Sequence, residues 1–379
     1  MDQKLAVLFM PDDMTLTKEQ APLMLRPILF CPILTWMVEE LMGRGIERFF
    51  IVSDKRAHDM MRPYVPEKAD VVYVDGARHG EELLTLLKDE KGSVLIVNGA
   101  VLPVGVFSGG AVYSADAKEC CKVLKEHGAF AAFPKGAEIT KGFLPVGDDE
   151  ELRSAQDMCR RKIADKHFAA GVSIMDPNNT YIDPRVKIGS GTVILPGTIL
   201  RGRTVIGKNC IIGPNAMIRD CTVGDETEVN ASQLNESTVG AHTTVGPFAY
   251  VRPNSKIGDH VKVGDFVEIK NSVIGNGTKI SHLTYVGDSD CGERINFGCG
   301  TVTTNYDGFK KFRCTIGDDA FIGCNTNLIA PVTVGNGSYI AAGSTITDEV
   351  PADSLAIARE RQVNKPGWAE QWRAAHEKK

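Results

Sequence analysis

An aliphatic residue, usually followed by glycine, returns every six residues through the second half of this chain of 379 residues. The first series holds Ile188, Ile194, Leu200, Ile206, Ile212 and Ile218. After slips of one residue it runs on to Ile269, and it resumes from Ile316 to Ile346. A period of six fits neither an α-helix nor a simple alternating strand. It is typical of a solenoid in which three hexads make one turn and the aliphatic side chains point inward. The sequence therefore predicts a parallel β-helix from about Asp183 to Val350.

Two details of the repeat carry further expectations. Glycine after the aliphatic residue is expected to permit the tight corner between faces. Between Thr303 and Ile316 the spacing exceeds that of the repeat, and the excess contains Asn305 and Lys311. An insertion in a solenoid projects as a loop while the coil continues, and such loops often carry function.

The first half alternates apolar, strand-like runs with helix-like segments, which indicates βαβ units and a mostly parallel sheet. A helix is predicted at Ile33–Met42, and a linker helix at residues 148–169, which contain no glycine or proline. The predicted domains are an α/β domain at 1–147, the linker at 148–170 and the β-helix with its tail at 171–379. The predicted strands are Leu5–Phe9, Phe49–Val52, Val71–Val74 and Val94–Val97.

Composition excludes several classes of function. The net charge is −5 and no polybasic run stands out, so neither nucleic acid nor an anionic membrane is expected as a partner. No apolar stretch is long enough to span a bilayer, and the N-terminus lacks the features of a signal peptide. The ten cysteines are not spaced as zinc ligands. Reduced thiols in a cytoplasmic protein are therefore expected.

With these residues in view, residues 171–368 closely resemble the acetyltransferase domain of a bifunctional bacterial family that makes UDP-N-acetylglucosamine. In that family a glucosamine-1-phosphate acetyltransferase is fused to an N-acetylglucosamine-1-phosphate uridylyltransferase. The resemblance implies a left-handed β-helix, a homotrimer with active sites at subunit contacts, acetyl-CoA as co-substrate and no metal for acetyl transfer. It rests on the stretches GPFAYVRPNSKIG (246–258), VGDFVEIKNS (263–272), SHLTYVGD (281–288), INFGCGTVTTNYDG (295–308), IGDDAFIG (316–323), APVTVGNGSYIAAGSTIT (330–347) and AIARERQVNKPGW (356–368).

Acyl transfer to an amine needs a base, and histidine, which titrates near neutral pH, suits that role. His282, in SHLTYVG, matches the family's catalytic histidine, although a lone histidine often only fills a structural position. The resemblance also assigns Asn305 to holding the reaction centre and Glu268 to orienting the site.

A sugar phosphate requires cations and hydrogen-bonding groups. Arg252, Lys270 and Lys311 match the family's phosphate and sugar ligands, and Tyr285 and Asn296 match its sugar-binding residues. A random lysine or arginine is usually a solvated surface charge, but all of these occur together at the family's spacing.

On the donor side, Tyr306, Ala342, Arg359 and Lys365 match residues that contact acetyl-CoA. Two cofactor positions depart from the family: Cys299 stands where alanine is usual, and Cys324 where a serine commonly contacts the thioester. Because a thiol is a weaker hydrogen-bond donor than a hydroxyl, the second change is expected to loosen the donor site.

The first half resembles the family's nucleotidyltransferase domain only in outline, at residues 22–52, and it is shorter. The family's glycine-rich phosphate loop should precede that stretch, but no glycine occurs before Gly43 and the site holds Asp12 and Asp13. Ala100 occupies the place of a metal-binding aspartate, and alanine cannot ligate Mg²⁺. Uridylyl transfer is therefore expected to be absent.

The sequence predicts an enzyme that acetylates glucosamine-1-phosphate, and a related amino-sugar phosphate remains open as the acceptor. The alternative from another class is a non-catalytic sensor of sugar nucleotides or CoA. What the degenerate first half binds is left open by the sequence.

Overall fold

The computed structural model describes residues 4–10, 22–103 and 110–376. These residues form two compact units, Met1–Asp220 and Cys221–Lys379. Asp12 and Asp13, where the glycine-rich loop is missing from the sequence, lie outside the described residues. The predicted domain bounds stay a prediction.

The first unit opens with a six-stranded mixed sheet. Its spatial order is Asp70–Asp75, Arg48–Ser53, Leu5–Phe9, Ser93–Asn98, Val112–Asp116 and Glu138–Ile139. The first four strands are parallel and include the four predicted ones, while the last two are antiparallel. The predicted α/β class is confirmed. Two short antiparallel pairs accompany the sheet, Pro27–Ile28 with Cys31–Pro32 and Val101–Leu102 with Leu144–Pro145.

Helices of the first unit begin at aspartate caps in several places. The side chain of Asp148 accepts hydrogen bonds from the backbone N–H groups of Glu150 and Glu151, both at 2.9 Å, which satisfies donors that a helix start leaves unpaired. The helix predicted at 148–169 is present, at Asp149–Ala169, while its role as a linker stays a prediction. The described helices of this unit are Ile33–Gly43, Lys55–Met61, His79–Leu87, Ala117–His127 and Asp149–Ala169, with 3₁₀ turns at Leu23–Leu25, Arg62–Tyr64, Gly76–Arg78 and Pro177–Asn179.

The hexad region of the first unit starts before Asp183, where the periodicity placed it, but within the predicted β-helix domain at 171–379. Ser173–Ile174 pairs in parallel with Val193–Ile194, ten residues before Asp183. The sequence concealed this coil because the 3₁₀ turn Pro177–Asn179 separates Ile174 from Ile182 by more than one hexad. The other strands here are Tyr181–Ile182, Lys187–Ile188, Ile199–Arg201, Val205–Ile206, Ile211–Ile212 and Met217–Arg219.

The second unit is built from three stacks of short parallel strands, which confirms the predicted parallel repeat architecture. The first stack holds Glu228–Val229, Thr244–Val245, Lys262–Asp265, Lys279–His282, Asn296–Phe297, Phe321–Ile322, Tyr339–Ile340 and Leu355–Ala356. The second holds Gln233–Asn235, Tyr250–Val251, Glu268–Lys270, Tyr285–Gly287, Val302–Thr304, Asn327–Ile329 and Thr345–Ile346. The third holds Thr222–Val223, Thr238–Val239, Lys256–Ile257, Val273–Ile274, Ser289–Cys291, Cys314–Ile316 and Val332–Val334. A helix, Trp368–His376, follows.

Aliphatic residues at the hexad positions fill the interior of the coil, and buried hydroxyls join successive turns. Val251, Ile269 and Val286 are completely buried on consecutive coils of the second stack. The Thr243 hydroxyl donates to the carbonyl of Gly258 at 2.9 Å and accepts from the N–H of Val261 at 3.1 Å. Because buried polar groups are costly when unpaired, such hydroxyls hold each coil in register with the next.

Glycines that follow the hexad aliphatics allow adjacent coils to stack closely. A Cβ at Gly240 would lie 2.5 Å from the carbonyl carbon of Gly258 on the next coil, which leaves no room for a side chain. Corners of the second unit instead place non-glycine residues at positive φ, among them Phe248, Phe266 and Leu283. Close approach of adjacent backbones therefore explains Gly240, while Gly246, at φ +107°, also has the positive φ expected of a glycine at a corner.

Candidate active site

Most of the predicted acceptor residues meet on the second stack of the second unit. Glu268 and Tyr285 are register partners on consecutive coils, and Lys270 pairs with Gly287. The loop after Thr304 adds Asn305 and Lys311. We call Arg252, Lys270, Tyr285, Asp288, Asn305 and Lys311 the anion cluster.

Arg252 and Glu268 form an ion pair at the edge of this cluster. The guanidinium Nη1 lies 2.7 Å from Glu268 Oε1, and both side chains are about one-third exposed. The hydrogen bond that Arg252 donates to Glu268 raises the pKa of Arg252. Glu268 thus fixes the direction of a cation.

Two lysines face each other at the centre of the cluster. The contact with the Lys270 amine, together with the charge of Lys270, lowers the pKa of Lys311. Lys270 Nζ also lies 3.4 Å from Asp288 Oδ2. Its pKa is raised by the contact with Lys311 and by the charge of Asp288. Neighbouring cations held in this way favour binding of an anion with more than one negative charge.

Asp288, which the sequence analysis did not single out, holds several side chains of the cluster in place. It is buried, and it accepts hydrogen bonds from Asn271 Nδ2 at 2.5 Å and from Asn305 Nδ2. Burial alone would raise the pKa of Asp288, but these hydrogen bonds and the Lys270 ammonium lower it overall. An ionised carboxylate therefore sets the positions of Lys270 and Asn305.

The predicted loop is confirmed, and two consecutive residues at its start have different environments. Coils that cross it span 25 residues, as between Cys291 and Ile316, whereas an ordinary coil such as Ile316 to Val334 spans 18. Asn305 lies at the base of the loop, 8% exposed, and its Nδ2 also contacts Tyr285 Oη at 3.4 Å. Tyr306 is exposed. The insertion thus places a buried amide in the cluster and an aromatic ring outside it.

Glycine makes room for the tyrosine of the cluster. A Cβ at Gly287 would lie 2.3 Å from Tyr285 Oη, so the ring covers the strand only because position 287 has no side chain.

His282 lies on the first stack, paired with a carboxylate. Its Nδ1 is 2.5 Å from Asp265 Oδ1, and the two residues are register partners one coil apart. The histidine side chain is 57% exposed. The hydrogen bond from His282 lowers the pKa of Asp265. Sequence reasoning missed Asp265, although its separation of one coil from His282 is a signal that could have found it.

The coils that follow His282 carry three of the predicted donor residues in line with it, namely Cys299, Cys324 and Ala342. Each follows by two positions a member of the register series Ile280, Phe297, Ile322 and Ile340, so one residue per coil occupies the same place. Since parallel strands lie about 4.8 Å apart, His282 and Ala342, three coils apart, are separated by roughly 14 Å. We call Asp265, His282, Cys299, Cys324 and Ala342 the donor column.

The remaining predicted residues lie apart from these groups. Asn296 is on the first stack, in register with Lys279 and Phe321, and not on the strands that carry Tyr285. Arg359 packs its Cδ beside Gly343, 3.6 Å from the position of a Cβ there, next to the end of the donor column. Lys365 is exposed near the start of the C-terminal helix.

In the first unit, Ala100 is buried and its carbonyl accepts the N–H of Val146 at 2.9 Å. Within residues 4–10, 22–103 and 110–376, no group of three His, Cys, Asp or Glu side chains is arranged to hold a metal ion. Across the same residues, no helix is both long and apolar enough to cross a membrane.

Comparison with known proteins supports the motifs on which the resemblance rested. The family described as bacterial transferase hexapeptide (six repeats) matches residues 185–220, 236–271 and 313–348. A protein of Clostridium perfringens named bifunctional protein GlmU is 53% identical over 237 residues, which cover 62% of this chain and 52% of that protein. Proteins of the same name from Caldanaerobacter subterraneus and Geobacillus are 50% and 48% identical, over 60% and 66% of this chain. The predicted resemblance is therefore confirmed, while the chain spans about half the length of these curated relatives.

Solved structures resemble the chain more distantly. A UDP-N-acetylglucosamine acyltransferase from Campylobacter jejuni is 14% identical with a TM-score of 0.34, over 50% of this chain and 72% of its own. An Arabidopsis UDP-N-acetylglucosamine acyltransferase is 18% identical with a TM-score of 0.31, over 52% of this chain and 77% of its own.

Proposed function

We propose, from the premise that about 60% of the chain is half identical to bifunctional GlmU proteins, that this protein is an acetyltransferase. It transfers the acetyl group of acetyl-CoA to the amine of glucosamine-1-phosphate, a step in UDP-N-acetylglucosamine synthesis. The observation that carries the proposal is the anion cluster, because the acceptor is a sugar that bears a phosphate dianion. Two amines in contact, with Arg252 nearby, are stabilised when such a dianion binds between them.

The donor column supplies the proposed chemistry. The acceptor nitrogen attacks the thioester carbon, the new C–N bond forms as the C–S bond breaks, and His282 takes the proton that the amine loses. The departing thiolate leaves as CoA after protonation. Ala342 and Arg359 lie toward the far end of the column, where an extended cofactor would reach. We propose direct transfer, with neither Cys299 nor Cys324 as a nucleophile.

A homotrimer would bring the two parts of the site together. His282 ends a strand of the first stack, whereas Tyr285 begins a strand of the second, on the other side of a corner. That corner carries an exposed apolar ridge of Phe248, Phe266 and Leu283, in which the two phenyl rings stack at 5.5 Å. Exposed apolar side chains in a row favour association. We propose that a neighbouring copy packs on this ridge and completes each site.

We also propose that uridylyl transfer is absent. Support comes from Ala100 in place of a metal-binding carboxylate and from the sequence before Gly43, which lacks glycine. Release of pyrophosphate from UTP and N-acetylglucosamine-1-phosphate by the purified protein would refute this part.

The second candidate is a non-catalytic sensor of sugar nucleotides or CoA. The observation that favours it is Cys324, which replaces a serine expected at the thioester and is exposed on the donor column. A sensor, however, has no need for a histidine paired with a carboxylate.

The decisive experiment measures thiol release from acetyl-CoA with glucosamine-1-phosphate. We expect His282→Ala to lower the rate by at least about a hundredfold, because a general base contributes that much or more. His260→Ala is the matched control, since this exposed histidine stacks on His242 outside the donor column, and it should keep the wild-type rate. Equal rates for wild type and His282→Ala would remove the base. Absence of thiol release by the wild type with any hexosamine phosphate would favour the sensor.

A further inference from the structure

The contact between Asp265 and His282 restricts the proton on the imidazole. An ionised carboxylate only accepts hydrogen bonds, so the hydrogen in this contact belongs to Nδ1 of the histidine. The lowered pKa of Asp265, whose main cause is the hydrogen bond from His282, keeps that carboxyl ionised at neutral pH. In the neutral imidazole Nε2 is then the nitrogen that can accept a proton from a substrate.

The backbone around the pair fixes both partners. The N–H of Leu283 donates to the carbonyl of Asp265 at 2.9 Å, and the Thr284 hydroxyl donates to the carbonyl of His282 at 2.7 Å. The ladder between their strands also pairs Val263 with Ile280. Because both side chains project from paired strands of a rigid coil, their separation does not depend on a mobile loop.

The resemblance assigned the orienting role to Glu268, but in the structure Glu268 and Asp265 have different partners. Glu268 lies on the second stack and binds Arg252 at 2.7 Å. Asp265 lies on the first stack and binds the histidine at 2.5 Å. The carboxylate that is in place to act on the imidazole is therefore Asp265.

We propose that Asp265 is a positioning residue for His282, holding the Nδ1–H tautomer and stabilising the imidazolium that forms when the base takes a proton. This role rests on the proposed acetyl transfer. It parallels the way in which a buried aspartate orients the histidine of a serine protease, although here the pair is half exposed. Asp265 does not need to touch either substrate.

Other charged groups near the pair are few. Lys262 on the same strand as Asp265 helps to lower the pKa of its carboxyl. On the following coil the donor column places the thiol of Cys299. On the preceding coil, the strand Thr244–Val245 and the Gly246–Pro247 turn carry no titratable side chain. The charge that acts on His282 is therefore expected to come mainly from Asp265, with Lys262 as a secondary influence.

Kinetics give the first test. Asp265→Asn removes the charge with little change of shape, and we expect kcat to fall by about ten- to a hundredfold, a part of what a general base contributes. The KM for acetyl-CoA should stay within about twofold. The acidic limb of the pH profile of kcat should move to lower pH, since the carboxylate no longer stabilises the imidazolium. Asp265→Glu should recover part of the rate. Asp319→Asn, an exposed aspartate paired with Arg294, is the matched control and should behave as wild type.

Nitrogen-15 NMR of histidine-labelled protein gives a second test that does not need activity. The signal of His282 is identified by its loss in His282→Ala. We expect the Nδ1–H tautomer in the wild type and a mixture, or the Nε2–H tautomer, in Asp265→Ala. An Nε2–H tautomer in the wild type, or an unchanged spectrum in Asp265→Ala, would overturn the positioning role. If the tautomer behaves as expected while the wild type acetylates no hexosamine phosphate, the contact stands and the proposed function fails.

Discussion

Removal of the Asp288 carboxylate should destabilise the second unit by an amount that its hydrogen bonds determine. Asp288 is 4% exposed, and it binds Asn305, Asn271 and Lys270. Asp288→Ala leaves the buried amide of Asn305 with only its long contact to Tyr285. A buried donor left short of its partner costs about 1–3 kcal/mol, and loss of the charge-assisted bonds to Asn271 and Lys270 adds to that. We therefore expect the free energy of unfolding of Asp288→Ala to be lower than that of the wild type by about 2–4 kcal/mol.

Guanidinium unfolding at fixed protein concentration measures this change, provided that the slope with denaturant stays constant between variants. Asp290→Ala is the matched control because it removes the same charge from an exposed pair with Arg313. Exposed pairs contribute about 0–1 kcal/mol, so the control should stay within that range. Equal losses for Asp288→Ala and Asp290→Ala would refute the view that Asp288 is an interior anchor. If glucosamine-1-phosphate is the acceptor, Asp288→Asn should also raise the KM for glucosamine-1-phosphate and leave the KM for acetyl-CoA unchanged.

Three further outcomes are expected. Cys324→Ser should lower the KM for acetyl-CoA by a few-fold without changing that for the acceptor, because a hydroxyl donates a stronger hydrogen bond than a thiol; steady-state kinetics with either substrate varied would detect this. Asp288 and Asp290 have lowered pKa values in the folded protein, so the stability they contribute is present above the ordinary aspartate value of about 3.9 and is lost as pH falls through the folded values. Denaturation midpoints measured from pH 7 downward should therefore change little from this cause until about pH 4 and then fall. Ile269→Ala, in the fully buried core, should cost about 2–5 kcal/mol in denaturant unfolding, whereas Val273→Ala, at an exposed position, should cost under about 1 kcal/mol.

Much of the fold could be predicted because the repeat fixes both the secondary structure and the direction of each side chain. An aliphatic residue such as Ile322 is buried since its neighbours on adjacent coils bury the same position. The periodicity alone did not reveal the first coil at Ser173, because a 3₁₀ turn interrupts the period. The antiparallel strand Val112–Asp116 was also missed, since its sequence VYSAD lacks the long apolar run of the parallel strands.

The site was predicted only where a residue is chemically distinctive in a familiar motif. His282 and Lys311 stand out in this way. Asp265 and Asp288 do not, because an aspartate near a coil corner usually is a solvated turn residue. Their roles depend on which residue of the adjacent coil faces them, and coils here have 16, 17, 18 or 25 residues. A separation of about one coil narrows the choice of partner, as for Asp265 and His282, but the exact register comes from the structure.

The hydroxyls that join successive coils make each coil depend on the register of the next. Thr243 satisfies one group on its own coil and two on the next only if both coils keep their phase. Deletion of a single residue inside a hexad would turn an aliphatic side chain outward and carry a hydroxyl away from its partners. The loop at Asn305 avoids this, because the chain re-enters with Cys314 opposite Ser289 and Ile316 opposite Cys291. The coil can thus accept new functional residues as whole loops inserted at its corners. Insertion or deletion of one residue between corners would instead turn the following side chains of that hexad to the wrong face.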